Sequence, residues 1–203
     1  MMDTTAVILA GGRSKRMGKD KIFLPLGGKP LFDYVWEVCR SVFEEVLVIT
    51  NYPQRFSSYP VRVEKDLLPG GVLGGIYTGL EAIHTPYAFC VACDVPFLKK
   101  ELVDYLLSLK DGFDAVVPIA PDGLHPLVAV YSKECSRVMK DALEKGMLRV
   151  ADVFPSLRVR FCHPDEIRPL DPSFLSFLNV NTEEDLKRAQ QILAGGFPLR
   201  KAL

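Results

Sequence analysis

The residues best placed to do chemistry lie in one run, Leu9-Ala-Gly-Gly-Arg-Ser-Lys-Arg-Met-Gly-Lys-Asp-Lys21. Five cations, Arg13, Lys15, Arg16, Lys19 and Lys21, face a single acid, Asp20. The paired glycines Gly11 and Gly12 let backbone N–H groups approach a ligand closely. Cations beside such a turn suit the charge of a triphosphate. The run is not a P-loop, because five residues separate Gly12 from Gly18 and Asp20 stands where Ser or Thr would follow Lys19. Nor is it the Gly-x-Gly-x-x-Gly of dinucleotide sites. A solvated basic loop is the plain alternative. The glycine turn directly after an apolar, strand-like run weighs against it.

A second glycine-rich stretch, Pro69-Gly-Gly-Val-Leu-Gly-Gly75, opens a helical pattern. Glycine is a poor helix former, so Gly70, Gly71, Gly74, Gly75 and Gly79 need a reason to be there. Close approach of the backbone to a flat base is one, and tight helix–sheet packing is the other. Asp94 follows the apolar run Tyr87–Cys93 and precedes Val95-Pro96. A carboxylate there suits Mg2+, which takes one or two carboxylates plus substrate phosphates, or it caps a turn. His125, before Pro126, has no second histidine nearby, so it reads as a structural or acceptor-contacting residue and not as a metal ligand. Cys90 and Cys93 have redox or zinc-ligand spacing but sit in an apolar run with no companion pair, which favours buried strand thiols.

These groups need elements to hold them. Ala6–Ala10, Val46–Thr50, Val61–Glu64 and Tyr87–Cys93 read as strands, with Asp114–Pro118, Leu127–Tyr131 and Leu157–Phe161 following. Helical patterns run from Pro30, from Leu73 to His84, from Glu101 to Leu109 and through Cys135–Ala142. Thr182-Glu-Glu-Asp185 resembles a helix N-terminus. Strands alternating with helices imply an α/β fold with a mainly parallel sheet. Such sheets bind ligands beyond the carboxyl ends of their strands. Those ends carry Gly11-Gly12, Thr50-Asn51, Lys65-Asp66 and Asp94. Each alone is an ordinary turn residue, and together they suggest one site. One domain is expected over residues 1–194, with a loose tail at 195–203.

Of the 203 residues, 25 are basic and 25 acidic. A neutral chain gives no global reason to expect a nucleic-acid or anionic-membrane partner. No apolar stretch reaches the roughly 20 residues of a membrane span. The cysteines, five and so odd in number, sit mostly in apolar stretches. With no secretory signal pattern, this suits a reducing cytoplasm.

Leu9-Ala-Gly-Gly-x-x-x-Arg16-Met-Gly-x-x-Lys21, Gly28-Lys-Pro-Leu31, Cys93-Asp94-Val-Pro96, His125-Pro126 and Asn179-Val-Asn-Thr182 with Glu184-Asp-Leu186 occur in one order from residue 6 to about 190. The ordered set resembles the molybdenum cofactor guanylyltransferases and their wider nucleotidyltransferase group. The resemblance implies a three-layer α/β/α Rossmann-like nucleotidyltransferase fold with a mainly parallel mixed sheet. It also implies transfer of GMP from GTP to the terminal phosphate of the molybdenum-molybdopterin cofactor, with Mg2+ as metal and pyrophosphate as the other product. On this resemblance Leu9, Ala10, Gly11 and Gly12 line the nucleotide, while Arg16 and Lys21 hold its phosphates. Asn51 and Asp66 contact guanine or ribose, and Gly71, Gly74 and Gly75 frame the base. Asp94 binds the metal and, with Arg16 and Lys21, forms the catalytic set. His125, Asn179 and Asn181 face the acceptor, Asn181 alternatively completing the metal site. Maturation proteins of molybdoenzymes are the expected macromolecular partners. Val72 and Leu124 depart from the pattern, at positions where relatives often carry Pro and a polar residue, and they bear on base and acceptor identity. Cytidylyl transfer to the same cofactor, transfer to a sugar phosphate, and a non-catalytic nucleotide-binding regulator are the rival readings. The presence of Arg16, Lys21 and Asp94 together weighs against the last.

Overall fold

The computed structural model describes residues 3–11, 23–68 and 70–195. Gly12, Arg16 and Lys21, which carry the phosphate-binding expectation, lie outside the described residues, as does nearly all of the expected tail.

The first strand, β1 (Thr4–Leu9), is buried along almost its whole length. Its pleat sends Ala6 and Ile8 to one hydrophobic cluster and Val7 to the other. This is the pattern of a strand covered on both faces. A short hairpin of β2 (Pro25–Leu26) and β3 (Lys29–Pro30) then leads into α1 (Leu31–Val42). Pro30, with φ −54°, presets the helix entry, and Asp33 and Arg40 lie at the ends that suit their charges. There follow β4 (Val46–Ile49), β5 (Arg62–Glu64), α2 (Gly71–Ala82), β6 (Tyr87–Ala92) and α3 (Lys100–Ser108). The second half holds β7 (Ala115–Ala120), β8 (Gly123–Leu124), β9 (Val128–Ser132), α4 (Cys135–Glu144), β10 (Val159–Cys162), the one-turn α5 (Pro164–Ile167) and α6 (Glu183–Leu193).

The main sheet runs β5-β4-β1-β6-β9-β7-β10, with β8 paired to β7. All neighbours from β5 to β6 are parallel, while β9 runs against both β6 and β7. One cluster packs Phe32, Val35, Trp36 and Cys39 of α1 and Leu102, Val103 and Leu106 of α3 against Ile8, Val48 and Phe89. The other packs Leu73, Ile76 and Leu80 of α2 and Met139 and Ala142 of α4 against Val7, Leu47 and Ile49. The result is the three-layer α/β/α arrangement. Fully burying each of the Val, Leu, Ile, Phe and Met side chains contributes about 1.5–3 kcal/mol.

Helix α2 lies directly on the sheet. A Cβ at Gly79 would stand 2.5 Å from Val7 Cγ1, so only glycine permits this approach. Tight helix–sheet packing thus explains one of the glycines of this helix. All five cysteines, including Cys90 and Cys93, are buried free thiols. At the other end of the chain α6 begins with a capping box. Thr182 Oγ1 accepts from the Asp185 N–H at 3.1 Å, and Asp185 Oδ2 accepts from the Thr182 N–H at 2.8 Å. Val180 and Ala189 pack with Leu26 and Leu31, which holds this C-terminal segment against the β2–β3 hairpin.

Candidate active site

Backbone bonds continue past the strand ends and fix the residues that follow. The Ala10 N–H donates to the Ile49 carbonyl at 2.9 Å, and the Thr50 N–H to Glu64 at 2.9 Å. The Cys93 N–H donates to the Leu9 carbonyl at 3.2 Å, and the Ala92 N–H to Leu127 at 3.0 Å. Gly11, Asn51, Asp66 and Asp94 therefore emerge along one edge of the sheet, as expected for a ligand crevice.

Four strand-end residues meet the helix beside them. Asn51 Nδ2 donates to Asp66 Oδ2 at 2.8 Å. A Cβ on Gly11 would lie 3.7 Å from Asp66 Oδ2, and one on Gly75 would lie 3.3 Å from Leu9 Cδ2 and 3.8 Å from Asp66 Oδ1. Leu9, Gly11, Asn51, Asp66 and Gly75 thus form one cluster, with Ala10 buried beneath it. Burial pushes the Asp66 carboxyl above the usual carboxylate range, and the Asn51 amide pulls part of the way back. Thr78 clamps the arrangement, since its hydroxyl donates to the Gly74 carbonyl and accepts from the Leu67 N–H, both at 2.9 Å. Gly74 is buried in α2. Gly71, with φ +57°, is exposed at the start of α2, and a Cβ there would point into open space.

Asp94 is half-buried just past β6. Its carbonyl accepts from the Val180 N–H at 2.9 Å, which brings the Asn179–Asn181 segment to the end of β6. There a cavity of about 1290 Å³ opens, and His125, Asn179 and Asn181, the three acceptor candidates, all line it. The His125 ring is tilted against Phe177 with centroids 4.4 Å apart, and its Nε2 lies 2.8 Å from Asp122 Oδ1. The Tyr131 hydroxyl donates to the Pro126 carbonyl at 2.8 Å and steadies the His-Pro turn. Asn51 and Asp66 do not line this cavity. The candidate site has two compartments, the strand-end cluster and the cavity, and Asp94 is tied through Val180 to the Asn179–Asn181 segment of the second.

Arg168, Phe174 and Phe177 also line the cavity, and no chemical motif in the sequence marks them. The Asp171-Pro172 turn followed by phenylalanines three apart was the available signal. Among the described residues no group of three or more His, Cys, Asp or Glu is gathered to hold a metal, and no helix is long and apolar enough to cross a membrane.

An open, mainly parallel sheet with polar groups gathered at the carboxyl ends of its central strands defines an α/β protein with its ligand crevice at that edge. The chain belongs to the family described as MobA-like NTP transferase domain, whose model matches residues 6–157. It is a nucleotidyltransferase. It is 36% identical over 195 residues to a molybdenum cofactor guanylyltransferase of Desulfosudis oleivorans, covering 95% of this chain and 96% of that protein. It is 37% identical over 191 residues to a probable molybdenum cofactor guanylyltransferase of Pelotomaculum thermopropionicum, covering 94% and 93%. Its structure is similar to that of molybdopterin-guanine dinucleotide biosynthesis protein A from Archaeoglobus fulgidus, with a TM-score of 0.83 and 30% identity over 94% of this chain and 99% of that one.

Proposed function

We propose that this chain transfers GMP from GTP to the terminal phosphate of the molybdenum-molybdopterin cofactor, releasing pyrophosphate. The observation that carries this reading is the Val180–Asp94 backbone bond. It sets the cavity lined by His125, Asn179 and Asn181 beside the strand ends where a nucleotide would sit, with a carboxylate on the border.

In this reading the acceptor phosphate attacks the α-phosphorus of GTP. A new P–O–P bond forms as the bond to pyrophosphate breaks. A phosphate monoester with its second pKa near about 6 is already largely ionised at neutral pH. No general base is needed, and the protein's task is positioning and charge neutralisation. Arg16 and Lys21 hold the triphosphate and offset the charge gathering on pyrophosphate. Asn51 and Asp66 receive the base or ribose, and Gly71, Gly74 and Gly75 at the start of α2 frame the base. Asp94 fits Mg2+ as a lone hard carboxylate, since that ion takes its other ligands from substrate phosphates and water. Held by Asp94, the ion would supply positive charge that offsets the negative charge of the phosphates. The buried, unpaired-by-disulfide cysteines are consistent with a cytoplasmic reaction.

Calorimetric titration with GTP, CTP, ATP and UTP, with and without Mg2+, tests this reading. GTP should bind tightest, on the order of a hundredfold over ATP, because mismatched polar groups at a buried base edge each cost about 1–3 kcal/mol. CTP binding as tight as GTP would transfer the assignment to cytidylyl transfer. Absence of pyrophosphate release with GTP and acceptor together would favour a binding protein without chemistry.

A further inference from the structure

Four side chains stand in a row on one wall of the cavity. The Arg168 guanidinium lies 5.4 Å from the Phe174 ring centroid. Phe174 stacks with Phe177 at 6.5 Å and 29°, and Phe177 meets His125 at 4.4 Å. All four line the cavity. Phe177 is buried, while Phe174 and His125 are only half-buried and keep surface toward the open space. A row of π faces ending in a cation is built for a flat conjugated ring, not for an aliphatic chain.

The backbone holds this row in a costly conformation. Phe174, at φ 53° and ψ 31°, is the one non-glycine residue with positive φ among those described. A bulky residue stays in the left-handed region only when its surroundings dictate it. Here they do. Asp171 is fully buried, its Oδ2 accepts the Ser176 N–H at 2.8 Å, and its Oδ1 lies 3.2 Å from Lys99 Nζ. Lys99 also donates its backbone N–H to Ser176 Oγ at 3.1 Å, and the Phe174 N–H donates to the Asp171 carbonyl at 3.0 Å. Lys99 and Phe97, the other partner of Ser176 Oγ, belong to the segment that follows Asp94. The segment at 171–177 is therefore locked to the loop carrying the site carboxylate.

We infer that Phe174, with Arg168 behind it and Phe177 and His125 beside it, is the preformed platform that selects the acceptor by its fused heterocyclic ring. This rests on the guanylyl-transfer reading above. It gives the acceptor's ring, as distinct from its phosphate, a place in this chain. Specificity for the acceptor then resides in the wall of a cavity that Asn51 and Asp66 do not line.

The test compares Phe174→Asn, Phe174→Tyr and Arg168→Met in the full chain. Asn tolerates the left-handed region, so the first removes the ring and spares the loop. Circular dichroism melts check that it does. With molybdenum-molybdopterin as acceptor, Phe174→Asn should raise KM by about tenfold or more, the scale of a lost ring stack. The change should fall on KM and not kcat, with the Kd for GTP unmoved. Phe174→Tyr should restore KM, and Arg168→Met should raise it about threefold, the scale of an exposed cation–π contact. An acceptor KM in Phe174→Asn equal to that of the unaltered protein overturns the inference and leaves guanylyl transfer standing. If the unaltered protein does not turn this acceptor over, the functional reading fails, and the platform is judged by quenching of 6-hydroxymethylpterin fluorescence. Quenching lost in Phe174→Asn supports it, and no quenching by the unaltered protein overturns it.

Discussion

The side-chain amide of Asn51 donates to Asp66 Oδ2 across 2.8 Å, joining the ends of β4 and β5. Burial raises the proton affinity of Asp66 and this bond opposes it. Asn51→Ala should therefore move the Asp66 pKa further up. If the carboxylate form receives the nucleotide, GTP binding in the variant should fail at a higher pH as the solution is acidified. Affinity at neutral pH should drop about three- to tenfold, the scale of one lost hydrogen bond. Carbon-13 NMR titration of the Asp66 carboxyl, with GTP titrations across pH, checks both. An unmoved or lowered pKa would show that the amide does not support the carboxylate.

Asp94→Asn should reduce turnover about a hundredfold or more, the loss of several kcal/mol of transition-state stabilisation. The fold should survive, because the bond that anchors this residue to Val180 uses its backbone carbonyl. Pyrophosphate release at ordinary Mg2+ concentration, alongside a thermal melt, separates the two effects. Turnover near that of the unaltered protein would take Asp94 out of the reaction.

Gly79→Ala pits two effects against each other. Alanine favours the helix by up to about 1 kcal/mol. Its methyl would meet Val7 Cγ1 at 2.5 Å, on a β-branched side chain buried in the central strand. Overpacking of that kind costs about 1–3 kcal/mol and should win. Denaturant melts should show the loss, and Val7→Ala combined with Gly79→Ala should be less damaged than the sum of the two single changes. Simple additivity would mean that the close approach is not what requires glycine.

Glu166 gives a pH signature away from the site. The Arg160 guanidinium, the His163 N–H at 2.8 Å and the Tyr105 hydroxyl at 2.9 Å hold its carboxyl down to about 2. An unfolded glutamate titrates near about 4.3. A depressed folded value stabilises the native state fully above the unfolded pKa and loses that contribution as pH falls toward 2. Glu166→Gln should lower Tm at neutral pH, and the gap from the unaltered protein should close between about pH 4.5 and 2. A gap that stays constant over that range would show that the lost stability is not electrostatic.

How far the sequence discloses this arrangement depends on how local each signal is. β1, β4 and β6 and the residues at their ends follow from apolar runs and the polar groups behind them. The capping box at Thr182 is written in four consecutive residues. The last strand is different. It is expected at Leu157–Phe161 and forms at Val159–Cys162, because parallel pairing with β7 sets its register. The β2–β3 hairpin turns at Gly27 and Gly28, both with positive φ, yet prolines in its two short strands disguise it. The cavity wall is hidden most deeply. It needs a left-handed Phe174 and a buried Asp171, and both arise from contacts with Phe97 and Lys99, more than seventy residues away along the chain.

The strand β9 enters the sheet against the direction of its neighbours, pairing Val128 with Val91 at the carboxyl end of β6. Every parallel strand contributes to that edge the loop by which the chain leaves it. β9 contributes the loop by which the chain arrives, and so His125 and Pro126 reach the same border as Asp94 from the other direction. The border is a seam between two separately written halves. The two halves still meet elsewhere, since Leu26 and Leu31 pack with Val180 and Ala189 of the segment that supplies Asn179 and Asn181 to the cavity. One reversed strand thus brings the entry to β9 and the exit from β6 to the same edge of the sheet.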